Sequence, residues 1–298
     1  MTFKQLEALY WVAHLGGFAA AASRLHTTQS AISKRIQELE LVFNTQLFDR
    51  KQRSAHLTEK GQELFLLSRQ LLTQRDAAIE QFSRPEVVQR RLRLGVTELT
   101  AMTWLPKLVR AIQERYPKVI IEPDVDLSLD LRDKLLNDEL DLIVIPDVFQ
   151  DARFMAKQLL RVESRWMGSP LLLKTQKISN LKDLVKHRLL VQGEKSGTGI
   201  LYDRWFKSLG LKLATTTSTN NMIALIGMTV AGLGYSYLPR DCLSLYVDTG
   251  VLKIMDIKPV LPAVPYVALT RRDRPSVLLD SVITLAQECC DFSKMFST

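Results

Sequence analysis

Apolar residues recur along the first 82 positions at spacings of three and four. Beyond position 91 this period gives way to short apolar runs separated by helical stretches. The first regime marks amphipathic helices, the second strands alternating with helices. Leu6, Leu9, Tyr10 and Ala13 predict a helix over 3–15, ended by Gly16-Gly17. Phe18, Ala21, Ala22 and Leu25 mark a second helix, whose Ala-rich face is thin enough for close approach by another. His26 and Thr27 break the pattern, Thr28 offers an N-cap hydroxyl, and Ile32, Ile36 and Leu39 stripe a third helix. On that helix Ser30, Ser33, Lys34 and Gln37 share the opposite face.

Leu47 and Phe48 then read as buried, and 49–58 as a basic loop between two short extended stretches. Residues 58–82 are an unbroken run of helix formers. Leu64, Leu67, Leu71 and Ala78 form a stripe along it that Gln74 and Gln81 interrupt. A helix of about 25 residues spans roughly 37 Å and cannot bury such a stripe alone, which implies a second helix, most simply from a second copy. Pro85 closes it, and 83–90 reads as a linker. Strands are expected at 92–96, 119–121, 140–145, 188–192, 214–217, 235–238 and 264–269. Helices are expected at 100–116, 129–136, 199–209, 221–231 and 275–290. The almost wholly apolar run at 140–145 suits a buried parallel strand.

The polar face of the third helix is small, hydroxylated and basic, with Gln29 at its N-terminus. Such side chains reach base edges and phosphates when a helix enters a major groove, so the pair of helices reads as a helix-turn-helix with its recognition helix second. An ordinary helical hairpin with a solvated face is the alternative. The loop that follows, with Arg50, Lys51 and Arg53, reads as a wing able to straddle a phosphate backbone.

Charge adds little to this. The net charge is +8, with 12 Lys and Arg against 9 Asp and Glu in residues 1–90 and the rest of the excess beyond, so the basic surplus does not single out one region. The 298 residues suggest about two domains. No signal peptide or membrane-length apolar run is present, and three cysteines without framework spacing suit a reducing cytoplasm. Four scattered histidines argue against a metal site. Gly95 to Leu99 lacks a dinucleotide loop, no Gly-x-Ser-x-Gly elbow exists, and in 193–199 the Lys-Ser pair precedes the glycines of a would-be phosphate loop. No catalytic residue and no cofactor are therefore expected.

The chain resembles the LysR-type transcriptional regulators over essentially its whole length. The resemblance is carried by Phe18 to Leu25, Gln29-Ser30-Ala31-Ile32-Ser33, Ile36 with Leu39-Glu40, Leu47-Phe48-Asp49-Arg50, and Leu57-Thr58 with Gly61. Downstream, Leu105-Pro106, Tyr116-Pro117, Leu140-Asp141-Leu142, Ala231-Gly232-Leu233-Gly234 and Leu238-Pro239 continue it. It implies an α+β/α/β multidomain chain: a winged helix-turn-helix at 1–58 (helix-turn-helix 18–37), a linker and dimerisation helix at 59–90, and an effector-binding domain at 91–298. That domain would have two α/β lobes like a periplasmic binding protein, lobe I from 91–163 and 265–298 and lobe II from 164–264, with crossings near Glu163 and Pro265. Two departures stand out: Ser30 replaces the family's usual Pro, and Asn44 stands in place of a Gly before the Leu-Phe pair.

For DNA, the expected contacts are Thr28, Gln29, Ser30, Ser33 and Lys34 on the helix and Arg50 and Arg53 on the wing. For the effector they are Thr97, Thr100, Ser128, Ser196, Thr198 and Asn220, where strand C-termini and helix N-termini would face the interlobe cleft; such residues also serve as plain helix caps. The partners implied are double-stranded operator DNA, a small-molecule effector, and further copies of the chain, as a dimer of dimers. Many family members bind carboxylates or aromatic acids; Lys195 would attract one, whereas Glu98 and Asp147 would repel it unless they point away. A constitutive DNA-binding protein with a vestigial effector lobe, and an enzyme using the α/β domain, are the competing readings.

Overall fold

The computed structural model describes residues 1–49, 55–82, 88–176, 178–213 and 215–296. Two compact units emerge, Met1–Phe82 and Ser83–Thr298.

In the first unit, α1 (Phe3–Leu15) starts at a capping box in which the Thr2 hydroxyl accepts from Gln5 N and the Gln5 side chain accepts from Thr2 N. It ends at Gly16 with φ of 70°, a left-handed cap that glycine takes without strain. After α2 (Phe18–Arg24) comes α3 (Gln29–Phe43), whose C-cap Asn44 takes the left-handed conformation in the absence of a glycine. Phe48 bridges to Leu57 in antiparallel fashion, and Asp49 N donates to His56 O at 2.8 Å, forming the base of a hairpin. α4 (Glu59–Phe82) follows. Leu6, Leu9, Ala21, Ile32, Leu39, Leu47 and Leu64 are buried together.

The expected stripe of α4 divides between the unit's core and its surface. Gly61, Leu64, Ser68 and Leu72 are buried, while Leu67 is 48% exposed and Leu71 only half-buried. The reason is close packing on α1 and the hairpin base: at Gly61 an added Cβ would lie 2.0 Å from the Leu47 carbonyl oxygen, so this face of the helix turns inward.

The second unit contains two five-stranded sheets. The first comprises β1 (Arg91–Val96), β2 (Ile120–Val125), β3 (Leu142–Pro146), β4 (Phe154–Val162) and β10 (Val264–Arg271), in the order β2-β1-β3-β10-β4. The second comprises β5 (Ser164–Gly168), β6 (Arg188–Gln192), β7 (Thr215–Thr219), β8 (Tyr235–Pro239) and β9 (Lys253–Met255), in the order β7-β6-β8-β5-β9. The two follow one plan. In each, three parallel strands are joined by an antiparallel strand that arrives from the other sheet, β10 in the first and β5 in the second. The chain changes sheet at Glu163 and returns between Met255 and Val264; Pro265 already lies within β10, paired with Arg161.

Helices α5 (Glu98–Met102), α6 (Leu105–Arg115), α7 (Ser128–Leu136) and α13 (Val277–Cys289) accompany the first sheet, and α8 (Pro170–Thr175), α9 (Leu181–Leu184), α10 (Gly197–Ser208), α11 (Met222–Val230) and α12 (Ser244–Asp248) the second. The single helix expected over 100–116 is broken at Thr103 and the fully buried Trp104, with Pro106 opening the second piece. Strands β4, β5 and β9 carry no clear alternation and were not expected from the pattern. Ala214, expected to open a strand, lies outside the described residues. Among the described residues no helix is long and apolar enough to cross a membrane.

Candidate functional site

On α3 the Thr28 hydroxyl accepts from Ala31 N at 3.2 Å, the N-cap bond its position predicted. It also lies 3.0 Å from the Ser30 hydroxyl, so the residue standing where the family has Pro is tied to the cap. Gln29, Ser30, Lys34 and Gln37 are exposed and Ser33 is half-buried, all opposite the buried Ile32, Ile36 and Leu39. Lys34 makes no ion pair among the described residues. The helix therefore presents a continuous donor-rich face held rigid from behind. Arg50 and Arg53 lie outside the described residues.

In the second unit a cleft of about 390 Å³ opens between the two lobes. From the first lobe it is lined by Thr97, Glu98 and Leu99 after β1, by 125–128 between β2 and α7, by Pro146 and by Tyr266 of β10. From the second lobe come Gln192, Ser196, Thr198 and Asn220 to Met222. These are the C-terminal ends of strands and the starts of helices, where open α/β sheets place ligands. Of the six effector positions expected, Thr97, Ser128, Ser196, Thr198 and Asn220 line the cleft.

Thr100 does not. Helix α5 begins at Glu98 with Thr97 as N-cap, so Thr100 falls within its first turn, fully buried and apart from the cavity lining, its hydroxyl without a hydrogen-bond partner.

The lobes meet through hydrogen bonds around this cavity. The buried Ser128 Oγ accepts from Gly197 N at 3.0 Å, and Leu129 N donates to Lys195 O at 3.1 Å. Glu98 Oε2 accepts from Met222 N, at the start of α11, at 2.5 Å. Lys195 Nζ pairs with Asp130 at 2.8 Å. Within the second lobe, Ser196 caps α10 by accepting from Gly199 N and donates to Gln192 Oε1 at 2.6 Å, while Asn221 caps α11 by accepting from Ala224 N at 2.7 Å.

Electrostatics reinforce this order. Burial works against the charge of Asp126, but Lys134 and the Leu127 N–H outweigh it and hold the carboxyl below its usual range. Burial pushes the Tyr266 hydroxyl up to about 12, against the neighbouring Thr97 and Thr198 hydroxyls, so it stands in the cavity as a neutral group. Cys242 is a buried thiol, likewise raised by burial to about 12.

Residue-by-residue reading of the sequence missed Val125, Asp126, Leu127, Gln192, Met222 and Tyr266. Gln192 ends a correctly expected strand and was accessible by the strand-end rule; Tyr266 enters only because β10 crosses from the other lobe, which nothing local announces.

A helix-turn-helix unit with an exposed basic recognition face, joined in sequence to a two-lobed α/β unit with a polar interlobe cleft, defines a ligand-responsive DNA-binding regulator. Residues 3–62 match the bacterial regulatory helix-turn-helix proteins of the lysR family, and 85–291 the LysR substrate binding domain. The chain belongs to the LysR family of transcriptional regulators, a family of regulators and not of enzymes. It is 26% identical over 252 residues to the HTH-type transcriptional regulator MetR of Escherichia coli, covering 84% of this chain and 78% of that one. Full-length OxyR from Pseudomonas aeruginosa superposes with a TM-score of 0.70 at 22% identity, covering 100% of this chain and 98% of the other. LysG of Corynebacterium glutamicum with bound effector Arg does so at 0.64 and 19%, covering 97% and 99%.

Proposed function

We propose that α3 reads an operator through Thr28, Gln29, Ser30, Ser33 and Lys34, with Arg50 and Arg53 of the wing on the backbone, and that a small molecule in the interlobe cleft governs this binding in the cytoplasm. The observation that carries the effector half is the ring of lobe-to-lobe hydrogen bonds around an open cavity: a molecule entering there changes the balance between lobe arrangements. Differential affinity for those arrangements is what makes it an effector. The solved LysG structure with bound arginine supports a small molecule in this fold.

Assembly as a dimer of dimers belongs to the same reading. Leu66, Leu67, Ile79 and Phe82 are exposed along α4, an apolar surface suited to a second copy. Paired heads would meet half-sites about one helical turn apart, or a multiple of it. A stable monomer in sedimentation at micromolar concentration, or Leu67→Asp leaving the assembly intact, would remove this part.

A carboxylate effector, as many family members bind, would find Lys195 as its attractor and Glu98 and Asp147 as opposing charges. That lysine is paired with Asp130, and Glu98 faces the second lobe, so the charges here do not favour an anion.

The test is a metabolite thermal-shift screen whose hits are titrated against operator complexes of wild type and Thr198→Trp, which fills the cleft. Hits that bind the filled variant as tightly as wild type overturn the cleft as effector site. For DNA, Lys34→Ala weakens operator binding and, for a phosphate contact, lowers the salt slope by about one unit; unchanged affinity and slope refute this placement of α3.

A further inference from the structure

The charges in a small cleft decide the charge of what enters it. Among the described residues, Glu98 and Asp126 are the ionisable carboxyls that line this one, and neither Lys nor Arg lines it. Two lysines beside the lining residues are already paired. Lys134 Nζ sits 2.7 and 2.8 Å from Asp124 and Asp126, and Lys195 Nζ 2.8 Å from Asp130. Helix starts would ordinarily offset this by offering N–H groups to an anion. Here Gly197 N is held by Ser128, Gly199 N by Ser196, Met222 N by Glu98 and Ala224 N by Asn221.

Glu98 is the pivotal group. Its Oε2 accepts from Met222 N, where the positive end of α11 favours the ionised carboxylate. No hydrogen bond engages its Oε1 among the described residues, and Glu98 lines the cavity together with Thr97. Leu99, Val125, Met222 and the ring of Tyr266 supply apolar wall around it.

We propose that the effector carries a protonated amine that docks on Glu98, with a short apolar body against Leu99, Met222 and Tyr266. This rests on the reading of the cleft as the effector site. An ammonium group brings three donors to Glu98 Oε1 and the neighbouring neutral oxygens. A ligand whose only charge is negative would meet two carboxyls, with the N–H groups of Gly197, Gly199, Met222 and Ala224 already held.

Three probes with one five-carbon chain test this by calorimetric titration of the full-length protein: cadaverine, 5-aminopentanoate and glutarate. Expected is binding of at least one amine, with glutarate about tenfold weaker or more. Glu98→Gln keeps an acceptor for Met222 N and removes the charge; it brings amine and glutarate affinities together. Glu98→Asp restores the preference in part. Glutarate binding as tightly as the amines, amine affinity unchanged in Glu98→Gln, or no amine binding up to about 20 mM each overturns the proposal. Thr198→Trp separates the two failures. If it abolishes probe binding while Glu98→Gln does not alter it, the cleft stands and the amine falls. If probes bind Thr198→Trp unchanged, the cleft itself falls, and the amine with it.

Discussion

The polar face of α3 and the interlobe cleft share Ser, Thr and Gln, yet use them in opposite ways. On the outward face at the start of α3, Thr28 and Ser30 are bonded to each other and to the helix's own cap; Gln29, Lys34 and Gln37 face outward on a helix fixed by Ile32, Ile36 and Leu39. In the cleft, Ser128, Glu98, Ser196 and Asn221 are all bonded, two of them across the lobes. The first surface is preformed and, if it reads DNA as proposed, would do so at fixed geometry. The second holds bonds that a ligand must exchange, and an exchange of bonds between lobes is what a switch requires.

The comparison is broken most strongly where the rigidity of the first unit is made. Gly61 permits α4 to lie against the Leu47 carbonyl, and an added methyl at 2.0 Å has backbone in front of it. Gly61→Ala should cost about 3 kcal/mol, confined to the first unit. Hydrogen exchange would show α3 and α4 amides losing protection while the β-sheet amides of the second unit keep theirs, and operator binding would fall with it. Uniform loss across both units would show that the recognition surface does not owe its rigidity to this contact.

A pair of matched substitutions sharpens the comparison at intermediate size. Ser128→Ala removes the acceptor from Gly197 N, leaving a buried N–H unpaired, at a cost of about 2 kcal/mol. It also loosens one lobe against the other, so affinity for any cleft ligand shifts. Thr28→Ala removes an exposed cap at about 1 kcal/mol and leaves ligand affinity alone while weakening operator binding. Chemical denaturation and ligand titration of both variants check it; equal effects on ligand affinity would erase the distinction between the two surfaces.

The first unit was largely legible in the sequence because its logic is local. The helix over 3–15, the Thr28 cap and the Ile32, Ile36, Leu39 stripe follow from spacing within a few turns. On α4 the spacing showed a stripe in need of a partner, but which of its leucines bury within the unit is set by α1 and the Leu47 carbonyl, neither adjacent in sequence. In the second unit the strands ending in cleft residues were read well where they alternate or run apolar. Glu98 was noticed as a charge near a ligand, but its bond to Met222 N joins residues 124 apart. No periodicity carries that information; it exists only once two sheets face each other.

The smallest expected effect concerns a residue that spacing placed in the cleft and packing places outside it. Thr100 is fully buried, lies off the cavity lining, and its hydroxyl has no partner. A buried hydroxyl without a partner costs desolvation and returns nothing. Thr100→Val replaces it with a methyl at nearly constant shape, at a position where β-branching is already accommodated. Stability should rise by about 1 kcal/mol or less, and ligand affinity and operator binding should stay as in wild type. Thermal denaturation gives the sign directly. A fall in stability would mean that the hydroxyl is satisfied in solution by a partner such as a buried water. A loss of ligand affinity would return Thr100 to the cleft, and with it the view that every polar residue at these helix starts serves the ligand and not only the fold.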